Sequence, residues 1–230
     1  DSSGAYITHE YVVKPDNYMI DFNVKMNGAE KMLNQGVMNL SWQYTAAQQE
    51  TDIDFEKQNT QVGYVEDGSF DYHTIGRKSS KTFDENVKWV GVRQRFFFTI
   101  LVAKDNFSNG KIEWTIPDDS TKTVVQSVAN LKVPVKTGAP TVIPFSIYYG
   151  PSDYNVLKTY DLKFEKLVNL GQGMYSFVRP INKYIIMPIF NFLRGLTSNL
   201  GIVIMLLTIF IRLLTSPLIY KSYLSGAKMK

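Results

Sequence analysis

Alternation of apolar and polar positions dominates the first 170 residues. From Tyr18 to Met26 the even positions Tyr18, Ile20, Phe22, Val24 and Met26 are apolar, and Asp21, Asn23 and Lys25 lie between them. A period of two predicts a half-buried strand. The same period recurs in Leu40–Tyr44, Phe70–Tyr72 and Ile112–Ile116. Lys88–Ala103, where Arg93-Gln94-Arg95 leads into Phe96-Phe97-Phe98, reads as a more buried central strand. Turn residues punctuate these runs at Asn27-Gly28, Asp67-Gly68, Asn109-Gly110, Pro117-Asp118-Asp119 and Thr137-Gly138-Ala139-Pro140. A short helix is expected around Ser152–Tyr160, and a last strand at Asp161–Val168. Many short strands with regular turns predict a mainly β fold, an antiparallel β-sandwich.

The pattern changes after Gly171-Gln172-Gly173. Over 171–198, at 100° per residue, Ser176, Arg179, Lys183, Asn191 and Arg194 fall within about a third of a turn. Phe177, Ile181, Tyr184, Ile185, Phe192 and Leu196 occupy much of the remainder. This predicts a basic amphipathic helix for the plane of a membrane surface, kinked or broken near Pro188. The competing reading packs the helix on the sandwich core.

Leu200–Tyr220 then carries a single charge, within a predicted span of 199–222. As a helix it is roughly 30 Å long, about one hydrocarbon core. Its Leu, Ile, Val, Met and Phe residues contribute roughly −0.3 to −0.6 kcal/mol each, enough to offset one Arg at about +2.5 to +3.5 kcal/mol. That charge is Arg212, roughly 18 Å along the helix from Leu200 and about 12 Å from Tyr220. Thr208, Thr215 and Ser216 stand at i−4, i+3 and i+4 from it and make one polar stripe. Such a stripe suits a face lining a water-accessible cavity, and a snorkelling anchor is the alternative. Pro217 removes a backbone donor opposite the Leu213 carbonyl, so a bend is expected just beyond Arg212.

Charge sharpens the division. The chain has 25 Lys and Arg against 21 Asp and Glu. Residues 171–230 hold seven of the basic residues and no acid, which leaves the first 170 residues with a net charge of −3. A mildly acidic head therefore precedes an apolar, purely basic tail, as in a soluble domain followed by a membrane segment. Basic residues on both sides of the span signal orientation weakly. If the amphipathic helix lies at the outer surface, the head is outside and 223–230 begins a cytoplasmic segment. The first residues carry no Met and no apolar signal region, so the sequence reads as an internal piece of a longer protein.

Candidate chemistry in the head is thin. With no Cys, disulfides, Cys-based zinc sites and thiol nucleophiles are excluded. Asp52, Asp54 and Glu56 share one face if their segment is a strand, and a solvated face is the better reading than acid–base work. His9 and His73 are lone histidines, better read as structural or exposed than as catalytic. Arg93 and Arg95 either grip an anion or sit on the wet face of a sheet. Gly171-Gln172-Gly173 lacks the context of a phosphate loop. No cofactor or metal is called for, and nucleic-acid binding is disfavoured because the basic residues are interleaved with membrane-grade apolar sequence.

The run from Thr208 through Arg212 and Pro217-Leu218 to Tyr223, then Ala227-Lys228-Met229, resembles the second transmembrane helix of the YidC family of bacterial membrane protein insertases. Lys88–Phe98 and Phe145–Pro151 are similar to the family's large periplasmic domain. The resemblance implies a galactose-mutarotase-like supersandwich in the periplasm over 1–170, a surface helix, and an inner-membrane span with a cytoplasmic C-terminus. It implies that the Arg matching Arg212 lies in a hydrophilic groove that receives polar or acidic parts of nascent membrane protein clients. For the whole protein it implies the Sec translocon and the ribosome as partners, besides the lipid bilayer, and no enzymatic step. The family's other spans are absent from this sequence, so the piece alone is not expected to insert clients. The head as a docking surface for translocon or chaperone partners is compatible with this reading. A membrane-anchored mutarotase-like carbohydrate enzyme or sugar-binding domain is the alternative, and it needs a His and a carboxylate converging in a cleft.

Overall fold

The computed structural model describes residues 4–136 and 141–228. The chain divides into two compact units, Asp1–Val168 and Asn169–Lys230.

The first unit contains the strands β1 (Tyr6–Val13), β2 (Met19–Asn27), β3 (Val37–Ala47), β4 (Gln61–Glu66), β5 (Ser69–Thr74), β6 (Ser80–Phe83), β7 (Val87–Arg93), β8 (Phe97–Phe107), β9 (Asn109–Thr115), β10 (Thr123–Pro134) and β11 (Thr141–Pro151), with a short helix, α1 (Ala29–Met32), between β2 and β3. They form a seven-stranded sheet, β1-β2-β11-β8-β7-β4-β5, and a four-stranded sheet, β3-β10-β9-β6. All the pairings are antiparallel, as the alternating pattern predicts. The even positions of β2 point inward: Phe22, Val24 and Met26 are buried. They join Val90, Val92 and Leu101 of the larger sheet and Ile112, Ala129 and Leu131 of the smaller in one core. Register extends this into an aromatic ladder, because Tyr11 pairs with Phe22 and Phe22 with Phe145. Their rings stack at 4.7 and 5.7 Å, and Phe107 continues the row at 5.9 Å from Phe145.

The outer face of the larger sheet is also covered. The helix α3 (Tyr154–Lys158) falls within the segment predicted to be helical, and Asp153 caps it by accepting from the Asn155 and Val156 N–H groups. A 3-10 turn (Phe164–Leu167) follows. Leu157, Phe164 and Leu167 pack on Trp89, Phe98 and Ile100, and the Trp89 indole donates to the Leu162 carbonyl at 2.7 Å. Gly63 and Gly91 face each other across β4 and β7. A methyl group on Gly63 would fall on the Leu167 side chain, and one on Gly91 would lie 2.7 Å from Ile100 and 2.9 Å from the Thr99 carbonyl. The covering layer therefore requires glycine at position 63, and the close approach of β8 requires it at position 91.

Four predicted elements differ. Lys88–Ala103 is a hairpin of β7 and β8 rather than one strand. Both of its arms are buried on two faces, so their apolar runs merge in the sequence and only Gln94-Arg95 marks the fold-back. Asp161–Val168 is not a strand: Asp161 and Lys163 adopt left-handed backbone angles (φ 54° and 65°), which break extension before the 3-10 turn. Asn109-Gly110 opens β9 instead of turning a hairpin, because the chain passes here from the larger sheet to the smaller. Asp67-Gly68 does close the β4–β5 hairpin, with positive φ at both residues. The turn expected at Thr137–Pro140 lies outside the described residues.

The fourth difference is Asp52–Glu56. Asp52 caps a helix, α2 (Ile53–Asn59), by accepting from the Phe55 N–H at 2.9 Å. Glu56 is 1% exposed, not solvated. It accepts from the backbone N–H of Gln49 (2.9 Å) and Glu50 (3.2 Å) and from the Gln94 amide (3.0 Å), tying the β3–α2 loop to the β7–β8 hairpin. Helical spacing turns Glu56 inward, whereas strand spacing would leave it beside Asp52 and Asp54.

Glu56→Ala strands these three donors and is expected to lower unfolding stability by about 3 kcal/mol, read by denaturant unfolding. A second expectation concerns acid. Burial pushes the Glu66 carboxyl up, but the Lys81 ammonium (2.7 Å) and the N–H groups of Asp84 and Glu85 outweigh it and hold the group below 4.5. A carboxylate depressed on folding stabilises above its unfolded value, and the gain is lost as pH falls through the folded one. Lys81→Met is therefore expected to lower the Tm at neutral pH, by an amount that shrinks as the pH falls through the folded-state value of Glu66, read by thermal unfolding across an acid series.

Candidate functional site

The head does not assemble the histidine sites considered for it. His9 stands on β1 and His73 on β5, the two outermost strands of the larger sheet. Five strands separate them, roughly 29 Å at the usual spacing, so they cannot share a cleft. His9 packs edge-on against Phe22 at 5.5 Å. His73 stacks on Trp114 and shares a hydrogen bond with the Tyr64 hydroxyl at 3.1 Å, and Asp71 accepts from that hydroxyl at 3.2 Å. Burial, then Lys78, holds His73 below the ordinary imidazole range, and burial followed by Asp71 pushes the Tyr64 phenol up. The trio joins β4 to β5 inside the sandwich edge.

Arg93 is not on a wet face: it is buried, donates to the Gln61 amide oxygen at 2.7 Å, and burial pulls its guanidinium down to about 10. Arg95 is exposed and paired with Glu50 at 2.6 Å. Among the described residues, no group of three or more His, Cys, Asp or Glu is placed to hold a metal ion.

The second unit opens with helical turns of changing pitch rather than one α-helix. A 3-10 stretch (Gly173–Val178) leads into α4 (Arg179–Ile181), a π-turn (Asn182–Ile186) and α5 (Met187–Leu196). In the π-turn the Met187 N–H reaches back five residues to the Asn182 carbonyl. The extra residue rotates everything after it, so Arg179 and Arg194 are not related by a single 100° wheel. The turn also lies immediately ahead of Pro188, whose ring and missing N–H conflict with regular α-helix. The chain accommodates Pro188 at the start of α5 without ending the helix there.

Beyond it, α6 (Leu200–Lys228) is one helix of 29 residues. Asn199 starts it, its side-chain oxygen accepting from Gly201 (3.0 Å) and Ile202 (3.4 Å). Leu200–Lys221 spans 22 residues, its most apolar 18-residue stretch has a mean hydropathy of 2.3, and by length and composition it is fit to cross a membrane. Thr208, Arg212 and Ser216 are exposed and Thr215 is half-buried. The Thr208 hydroxyl donates to the Ile204 carbonyl (2.8 Å), and that of Thr215 to the Ile211 carbonyl (2.9 Å). Both threonines thus satisfy their donors on their own helix. Arg212 differs: among the described residues no carboxylate pairs with it, and residues 171–230 contain none. The helix runs on through Pro217, whose absent N–H leaves the carbonyl of Leu213, the residue after Arg212, without an intrahelical donor.

Comparison with known proteins matches this arrangement. Residues 1–185 fit the family model described as the YidC periplasmic domain. Three relatives named membrane protein insertase YidC align with nearly the whole chain. That of Parabacteroides distasonis is 31% identical, covering 99% of this chain and 37% of its own length. Those of Azobacteroides pseudotrichonymphae and Porphyromonas gingivalis W83 are each 32% identical, covering 98% and 99% of this chain and 38% of their own lengths. The chain thus spans a little over a third of the relatives it matches. With four-fifths of its residues inside the family model, the chain belongs to the YidC periplasmic-domain family.

Proposed function

We propose that the chain is part of a bacterial inner-membrane insertase, with α6 as one wall of a hydrophilic groove that receives transmembrane segments of client proteins. The head is periplasmic on this reading, the surface helices lie at the outer interface, and the end of α6 reaches the cytoplasm. Nascent membrane proteins are the clients, and in the whole protein the Sec translocon and the ribosome deliver them. The relatives' name supports the activity.

The observation that carries the reading is Arg212, a cation in an apolar helix whose own unit contains no carboxylate. A guanidinium at that depth costs about 2.5 to 3.5 kcal/mol unless water or an anion meets it. A wet groove lowers that cost, and a client carboxylate or polar segment has a transient partner there. The client's apolar helix then moves into lipid, and its burial drives the step with no nucleotide, metal or covalent intermediate. The mutarotase-like alternative has no observation in its favour: His9 packs on Phe22, and His73 is taken up by Trp114 and the Tyr64 hydroxyl.

Site-specific photocrosslinking in the full-length protein tests this, with probes at Thr208 and Thr215 and stalled nascent membrane proteins as targets. Client adducts are expected there and not at Ile211 or Leu214. Adducts to lipid alone, or equally on all faces, would make Arg212 a snorkelling anchor. Arg212→Lys is expected to retain insertion of clients with acidic tails, and Arg212→Leu to lose it, measured by protease protection of a single-span client.

A further inference from the structure

Among the described residues, the exposed phenylalanines of the first unit are Phe55, Phe96 and Phe97, and they gather at one end of the sandwich. Arg95 and Phe96 form the two-residue tip of the β7–β8 hairpin, closed by the Gln94 N–H donating to the Phe97 carbonyl at 3.0 Å. The Arg95 guanidinium lies over the Phe55 ring at 4.9 Å and the Phe96 ring at 5.0 Å, while Glu50 neutralises it. On β11, Pro151 pairs with Phe97 and Tyr149 with Thr99, so Phe97 and Tyr149 are diagonal neighbours on one face. Tyr149 is 61% exposed, and its N–H donates to the carbonyl of Tyr18, which is exposed as well. Aromatic rings with a polar edge or a neutralised cation among them are the composition of a membrane-interface anchor.

The path of the chain says which surface this end meets. Asp161, Leu162 and Lys163 line a hollow with Lys88, and Leu167 covers Gly63, which pairs with Gly91. The covering segment therefore advances along β7 from the level of Lys88 to that of Gly91, towards the hairpin tip. Leu167 is then three residues of strand from Gln94, about 10 Å. Only Asn169–Gln172 separates Val168 from the first helical turn of the second unit, at most about 18 Å of extended chain. The aromatic end of the head is thus the end from which the chain leaves for its membrane segment.

We propose that this end of the head, Phe55, Phe96, Phe97 and Tyr149 around Arg95, docks into the headgroup layer of the bilayer that α6 crosses. The inference rests on reading α6 as a membrane span. Asp52 and Asp54 flank Phe55, so attraction to anionic lipid is not what drives the contact; apolar burial is. Neutral phosphatidylcholine is therefore a sufficient surface.

The chain has no cysteine, so one substitution creates one labelling site. The full chain, reconstituted in phosphatidylcholine vesicles, is labelled with an environment-sensitive fluorophore at Phe97→Cys or Phe55→Cys. Asn130→Cys, exposed on the outer face of the smaller sheet, reports the aqueous head, and Leu206→Cys reports the span. Lipids brominated near the headgroup are expected to quench most of the emission at Phe97 and Phe55 and little at Asn130. Added salt should leave this unchanged, and Phe96→Ser should weaken the quenching at Phe97. Probes at Phe97 and Phe55 that stay unquenched while deep-brominated lipid quenches the one at Leu206 overturn the docking and leave the span intact. An unquenched Leu206 probe overturns the span and the docking with it. An apolar environment at Phe97 that disappears when vesicles hold one copy each assigns the surface to a second copy instead, and also overturns the proposal.

Discussion

The larger sheet has to be covered on two faces, and the rest of the head follows from that constraint. Seven antiparallel strands carry apolar residues on both sides through their middle, so one partner sheet is not enough. The four-stranded sheet covers the inner face, and the connection after β11 covers the outer one with Leu157, Phe164 and Leu167. Such a layer approaches the backbone closely, which is why Gly63 stands beneath Leu167, while its partner Gly91 makes room for Ile100 of β8. The layer also fixes how the chain leaves the head. Residues that in another sandwich would be a loose linker are here part of the core, and the tether to the second unit starts only after Val168.

What the sequence makes legible divides along the same line. Where one strand face is wet, as in β2, the period of two is visible and Phe22, Val24 and Met26 are correctly placed inside. Where both faces are buried, the period disappears, and the β7–β8 hairpin reads as one long strand. The cover reads as a strand in the sequence because Asp161 and Lys163 take left-handed angles that their residue types do not announce as glycine would. Glu56 shows a different limit. Its carboxylate is held by two backbone N–H groups and the distant Gln94, a long-range arrangement that local spacing cannot reveal. The Asp52 cap was in plain view, with an acidic first turn after it, and would have turned Glu56 inward by helical periodicity.

The candidate site was more legible than the fold because it depends on composition within one helix. Twenty-two apolar-rich residues, one Arg and a threonine on either side need no tertiary structure to be noticed. The structure adds a distinction between members of the polar stripe. Thr208 and Thr215 turn their hydroxyls back onto the Ile204 and Ile211 carbonyls, so they widen a polar face without demanding a partner. Arg212 has five N–H donors and no acceptor of its own, and the unit that holds it supplies no carboxylate. Unlike the two threonines, it has a requirement that must be met from outside the helix. Water, lipid phosphate and a client carboxylate are the groups able to meet it, and they make different demands on geometry. Phosphate is reached by extending the side chain towards a surface, whereas water and a passing carboxylate require the space beside the helix to be open. The choice between anchor and groove therefore turns on what occupies the space beside Thr208 and Thr215, not on the strength of any contact Arg212 makes.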